Sequence, residues 1–176
     1  SFDRLLAADS PGYWTGAFGF VPSTVQWCES NYEVCHFIAE FFNTVSSLSI
    51  LAAGLIGMIY TRRLEQRWVL AYATIATVGI GSVLFHMTLL RPMQMLDEVP
   101  MLWAVIVMVY CIIETDAVRP KYGRALPIGM FAYAVFVTLL TSLSSGHVQF
   151  LLFHASFGSL EFWSLGAIAM RARRET

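Results

Sequence analysis

Ser82 and His86 lie one helical turn apart and share a face, and Asp97 follows after a tight Arg91-Pro92 turn. If one helix runs up to that turn and the next runs back from it, His86 and Asp97 meet at one depth. A histidine, a hydroxyl and a carboxylate at a lipid-accessible level suit a metal-activated water that attacks a carbonyl. Each residue also has a plainer reading. A lone histidine within a bilayer is usually a hydrogen-bonded packing residue, and Asp97 with Glu98 would cap the start of a helix. A second polar set, Glu40, Asn43, Thr44 and Ser47, falls at i, i+3, i+4 and i+7 and makes one stripe on an otherwise apolar rod. Hydrogen bonds between helices account for Asn43, Thr44 and Ser47. Glu40, about one turn into that rod, needs a cation, an arginine or a metal. His147 and His154 read as interfacial and packing histidines, and Glu161 is expected to face the bundle interior.

The elements that must position these residues are membrane helices. Of 176 residues, 57% are apolar and only 13% charged, with a net charge of −1 and a mean hydropathy of +0.62. That leaves too few polar side chains to cover a water-facing surface, so lipid must solvate much of the chain. Disorder, collagen and coiled coil are excluded. The near-neutral charge balance argues against nucleic acid as a partner, which needs a strongly basic face. Cys28, Cys35 and Cys111 fit no metal-binding spacing. Cys28 and Cys35 could pair outside the cytosol, but small apolar filler is the stronger reading.

A hydrocarbon core of ~30 Å needs about 20 apolar residues per helix. Five windows approach or meet that length, at residues 36–60, 68–89, 99–113, 125–143 and 148–170, after an N-terminal segment of residues 1–35. The fold class is therefore all-α, a polytopic transmembrane bundle. Short loops at 62–67, 91–92, 116–124 and 144–146 make successive helices antiparallel. Nine of the eleven Lys and Arg fall in three clusters, at Arg62, Arg63 and Arg67, at Arg119, Lys121 and Arg124, and at Arg171, Arg173 and Arg174. An up-and-down path puts all three on one face, which the positive-inside rule assigns to the cytosol, with the N-terminus luminal or external.

Three blocks resemble the alkaline ceramidases, a family of seven-span membrane amidases. The first comprises Gly12-Tyr13-Trp14, the run from Ser23 to Tyr32 containing Trp27-Cys28-Glu29-Ser30-Asn31-Tyr32, and Glu40-Phe41-Phe42-Asn43-Thr44. The second runs from Val78 to Leu89 and the third is Gln94-Met95-Leu96-Asp97-Glu98-Val99-Pro100-Met101. The resemblance implies a zinc-dependent hydrolase that cuts the amide of ceramide into a sphingoid base and a fatty acid. It makes His86 a zinc ligand, places Ser82 beside the reacting carbonyl and gives Asp97 the proton of the attacking water. It also implies a calcium site from Glu29, Asn31, Glu40 and the Trp27 carbonyl, with Gln26 where the family has Asp. An amide in place of that carboxylate should weaken calcium.

The family takes two further zinc ligands from a His-x-x-x-His pair on its seventh helix, and these residues contain no such pair. Five spans of an expected seven are accordingly present. Activity would need the two missing helices, in cis or from a helical partner. The resemblance places the protein in the endoplasmic reticulum or Golgi if it is eukaryotic. The alternatives are a non-catalytic lipid-binding membrane protein or receptor-like relic of the same fold, and a related seven-span receptor-like hydrolase. The topology has a direct test. Single cysteines at positions 62, 119 and 173 should label with an impermeant reagent from the cytosolic side, and those at 30, 91 and 146 from the other. Equal labelling of 62 and 91 from one side would overturn it.

Overall fold

The computed structural model describes residues 17–18, 23–24, 29–114 and 122–175. Among the described residues five helices follow one another: α1 (Phe41–Thr61), α2 (Gln66–Thr88), α3 (Arg91–Ile113), α4 (Ala125–Leu143) and α5 (Gly146–Glu175). The first four are long and apolar enough to cross a membrane, as a rise of ~1.5 Å per residue requires. At 30 residues α5 has ample length, but His147, Gln149, His154 and Glu161 make it more polar. The chain is an integral membrane protein, and large apolar side chains such as Phe42, Ile59, Phe131 and Phe162 point outward, as lipid solvation allows.

Contacts between helix ends establish the antiparallel order. Arg67 at the start of α2 donates to the Glu114 carbonyl at the end of α3 (2.5 Å), and Arg91 at the start of α3 donates to the Ser144 carbonyl after α4 (2.5 Å). Arg62, Arg63, Arg67 and Arg124 therefore share one end of the bundle, as the basic clusters suggested, while Arg119 and Lys121 lie outside the described residues. Helix α3 is central: among the described residues it packs on α2, α4 and α5, whereas α1 packs on α2 alone. Leu102, Ile106, Val137 and Phe153 form the core shared by α3, α4 and α5.

Two boundaries differ from those drawn on hydropathy. Helix α1 begins at Phe41 instead of residue 36, so Glu40 is its N-cap and not a residue one turn inside. Helix α3 begins at Arg91 instead of Val99, with Pro92 in its first turn. Proline is tolerated there because the first N–H groups have no partner within the helix. Asp97 and Glu98 consequently sit within the helix, and the capping reading for them is wrong. Glu161 is exposed on α5 and does not face these helices. Cys111 is a buried thiol that donates to the Arg67 carbonyl (3.7 Å), Cys35 is in no disulfide among the described residues, and Cys28 lies outside them.

Small residues let α2 approach both neighbours. A Cβ at Gly54 would overlap the backbone of Ala76, one at Gly79 the backbone of Leu51, and one at Gly81 the carbonyl of Leu96. The last contact has a cause on the other helix. Pro100 has no N–H to close on the Leu96 carbonyl one turn back, so that oxygen is turned to α2, where only glycine fits. We expect Gly81→Ala to lower stability by ~1–3 kcal/mol through overpacking. Gly158, which has no atom within 4 Å of a would-be Cβ, should tolerate alanine or gain from its helix propensity. Thermal unfolding in detergent distinguishes the two, and equal behaviour would refute the close-approach account.

Candidate active site

The site is assembled where α1 starts and α2 ends. The last carbonyls of a helix have no partner within it, and here the preceding segment supplies donors. Ala39 N–H binds the Met87 carbonyl and Glu40 N–H the His86 carbonyl, both at 2.9 Å, while Leu89 closes α2 in a left-handed turn (φ 49°). The same segment folds back on itself, Tyr32 N–H donating to the Ala39 carbonyl at 2.7 Å. Glu29 caps α1: its two carboxylate oxygens accept from Phe42 N–H (2.7 Å) and Asn43 N–H (2.9 Å). A negative charge at a helix N-terminus is favourable both as an acceptor and against the helix dipole.

This backbone pairing lays the Glu40 side chain against α2. Its Oε2 is 2.5 Å from His86 Nδ1 and accepts from Asn43 Nδ2 at 3.0 Å. Glu40 is fully buried, so the carboxylate needs both donors in place of water. Among the described residues its second oxygen, Oε1, is buried without a hydrogen-bond partner, and so is Asn31 Oδ1.

One turn before His86, Ser82 Oγ lies 3.0 Å from Ser47 Oγ, which itself donates to the Asn43 carbonyl (2.7 Å). Asp97, only 9% exposed, comes from α3 beside Ser82, because Gly81 sits against the Leu96–Asp97 backbone, and it lies close enough to His86 for their charges to interact. Ser82 thus has one hydrogen, with Ser47 Oγ within bonding distance and the Asp97 carboxylate nearby. The close approach at Gly81 makes this possible, because Ser82 is the next residue and Leu96 precedes Asp97.

The structure brings Ser82, His86 and Asp97 together, as their spacing predicted, and turns the stripe of Glu40, Asn43, Thr44 and Ser47 toward α2. Of the calcium candidates, Glu29, Asn31 and Glu40 lie in one neighbourhood, while Gln26 and Trp27 lie outside the described residues. His147 and His154 are exposed on α5, and His154 Nδ1 pairs with the Phe150 carbonyl (2.8 Å). Among the described residues, no three His, Cys, Asp or Glu side chains converge to hold a metal by themselves.

Two features were missed in the sequence. The first is the Glu40 to His86 bond, spanning 46 positions. The second is a buried polar cluster beside Asp97. The Glu98 carboxylate accepts from Gln94 Nε2 and Gln149 Nε2, each at 2.6 Å, and the two amide oxygens accept from Thr24 N–H (2.7 Å) and Thr24 Oγ1 (2.5 Å). Gln94 sits one turn before Glu98, a spacing that hints at this bond. Nothing local marks Gln149.

Comparison with known proteins agrees with this geometry. The chain matches the Ceramidase family over residues 19–175. It is 41% identical over 136 residues to alkaline ceramidase 3 of Mus musculus, covering 76% of this chain and 49% of that protein. It is 34% identical over 118 residues to the alkaline ceramidase of Arabidopsis thaliana, covering 66% and 45%. It is also 41% identical over 96 residues to alkaline ceramidase YPC1 of Saccharomyces cerevisiae, covering 53% and 29%. The chain spans about half or less of the length of these relatives. With the family matched along nearly all of it and the Ser, His and Asp of the second and third blocks side by side in space, the chain belongs to the ceramidase family.

Proposed function

We propose that this chain carries the Ser82, His86 and Asp97 part of a ceramide-hydrolysing site, in which water cleaves the N-acyl amide to a sphingoid base and a fatty acid. The observation that carries the reading is the meeting of those three side chains at the end of α2, with Glu40 fixing the histidine ring. Zinc suits the donors: a neutral His86 that donates Nδ1–H to Glu40 carries its lone pair on Nε2, the carboxylate-histidine pairing common at metal sites. When bound, zinc would polarise the amide carbonyl and acidify its water. His86 and Asp97 are this chain's contribution to the metal environment, and the remaining donors come from outside the described residues.

Asp97 takes a proton from the attacking water and delivers it to the departing amine nitrogen, and Ser82 swings its one hydrogen from Ser47 to the developing oxyanion. In the resting site Ser47 accepts from Ser82 and so fixes its rotamer, and Glu40 orients His86. Calcium fits the neighbouring oxygens: Asn31 Oδ1 and Glu40 Oε1 are buried, unpartnered, hard donors of the kind that cation prefers. Glu29 keeps further lone pairs beyond its two capping bonds. On this reading Glu40 serves both ions, one through each oxygen.

In the full-length protein assayed on ceramide, His86→Ala and Asp97→Asn should each lower kcat by ~10²–10⁴-fold, and Ser82→Ala by ~10²–10³-fold. Elemental analysis should find zinc lost with His86→Ala. Undiminished turnover in His86→Ala refutes the hydrolytic assignment. A zinc-free protein that still binds ceramide points instead to a lipid-binding relic. Calcium is tested by heat: millimolar calcium should raise the Tm of the wild type and not of Asn31→Ala or Glu40→Gln. An equal calcium shift in all three would remove these residues from the site.

A further inference from the structure

Helices α2 and α4 both pack on α3 and not on each other. The gap between them is a groove of about 1060 Å³, walled by Leu70 and Ala73 of α2 and by Phe131 and Val135 of α4, and floored by Ile106 and Val107 of α3. It faces away from the chemistry, because Ile106 is nine residues past Asp97 and therefore half a turn round the helix. The volume is that of a ligand site, and nearly all of the lining is apolar.

One end of the groove is charged. Arg67 lines it, and its side chain is only 10% exposed. Its Nη1 donates to the Glu114 carbonyl and its Nη2 to Glu65, whose carboxylate is largely in solvent, but among the described residues its buried Nε has no hydrogen-bond partner. A guanidinium N–H in that state lacks the acceptor that burial demands. Arg124 immediately precedes α4, one turn from Pro127, which also lines the groove. At this end of the bundle Arg62, Arg63, Arg67 and Arg124 outnumber Glu65 and Glu114.

The depth is also informative. From Pro127 to Leu139, the groove's extent along α4, the helix rises ~18 Å, close to half of a ~30 Å hydrocarbon core. Near the far end, Trp103 Nε1 reaches across to Thr138 Oγ1 (2.9 Å) and ties α3 to α4. A partner helix would need a groove running the full thickness. A neutral lipid offers nothing to the arginines.

We infer that this groove binds one anionic glycerophospholipid from the leaflet facing the basic loops, its acyl chain lying against α3 and its phosphate between Arg67 and Arg124. The site is separate from the hydrolytic one and stands whether or not the chain cleaves ceramide.

The full chain, extracted from bilayers of equal parts phosphatidylcholine and phosphatidylglycerol and progressively delipidated, is examined by native mass spectrometry. One phosphatidylglycerol should remain per chain, favoured over phosphatidylcholine by roughly tenfold or more, since each near-surface arginine contributes several-fold. Arg124→Gln should cut that preference several-fold. Ala73→Phe and Val135→Trp fill the groove and should abolish retention while leaving Tm within a few degrees of wild type. Because Val135 already faces outward at 43% exposure, its replacement decides the matter if Ala73→Phe fails to fold. Equal retention of both lipids, or phosphatidylglycerol held undiminished by the groove-filled variant, would overturn the inference.

Discussion

A carboxylate with no solvent exposure in a lipid-facing bundle persists only where donors replace its water, and Glu40 finds His86 Nδ1 at 2.5 Å and Asn43 Nδ2 at 3.0 Å. The rest of the site is arranged around this contact. It coincides with two backbone bonds that complete the end of α2, from Ala39 and Glu40 to the Met87 and His86 carbonyls. Glu29 caps the helix that Glu40 begins. The N-terminal segment, the start of α1 and the end of α2 therefore form one hydrogen-bonded unit. The histidine that sequence spacing singled out is held at both its backbone and its ring.

A second constraint acts on the same part of α2 from the opposite side. Gly81 lets α2 meet α3 at the Leu96 carbonyl, the oxygen left without a donor one turn along because residue 100 is proline. The glycine contact and the glutamate contact bracket Ser82 and His86, so their positions relative to Asp97 are determined by backbone packing more than by side-chain choice. Such positioning is what the proposed hydrolysis would need, since small misplacements of a base or an oxyanion donor cost large factors in rate.

The polar groups next to Asp97 follow the same economy. Glu98, Gln94, Gln149 and Thr24 each find partners in one another within a largely buried cluster that joins the N-terminal segment to α3 and α5. A closed network of this type stiffens what it connects, because releasing any one member strands the others. It secures the segment of α3 that bears Asp97 from a third direction. Arg67, at the far end of the bundle, contrasts with it. Its Nε has no hydrogen-bond partner among the described residues, and Arg67 lines an apolar groove, the opposite of the mutually bonded cluster.

The residues alone determined that the chain is a helical membrane protein, because apolar runs of this length can satisfy their backbone in lipid only as helices. They also determined that Ser82 shares a face with His86 and that the Glu40 stripe must turn inward, since helical periodicity is a property of the backbone itself. The block resemblance located the same residues independently. The start of α3 was not legible, because Arg91, Gln94, Asp97 and Glu98 depress the apolar signal while proline in a first turn costs the helix nothing. Glu40 was rightly judged to need a partner, but its identity lay 46 positions away, and Gln149 gave no local sign of meeting Glu98. Glu161 was expected to point inward and is exposed. Period and propensity act over a few residues, so they specify which faces are polar. Which polar face meets which, and how closely, is decided only when glycines, proline and unfilled helix ends bring distant segments into contact.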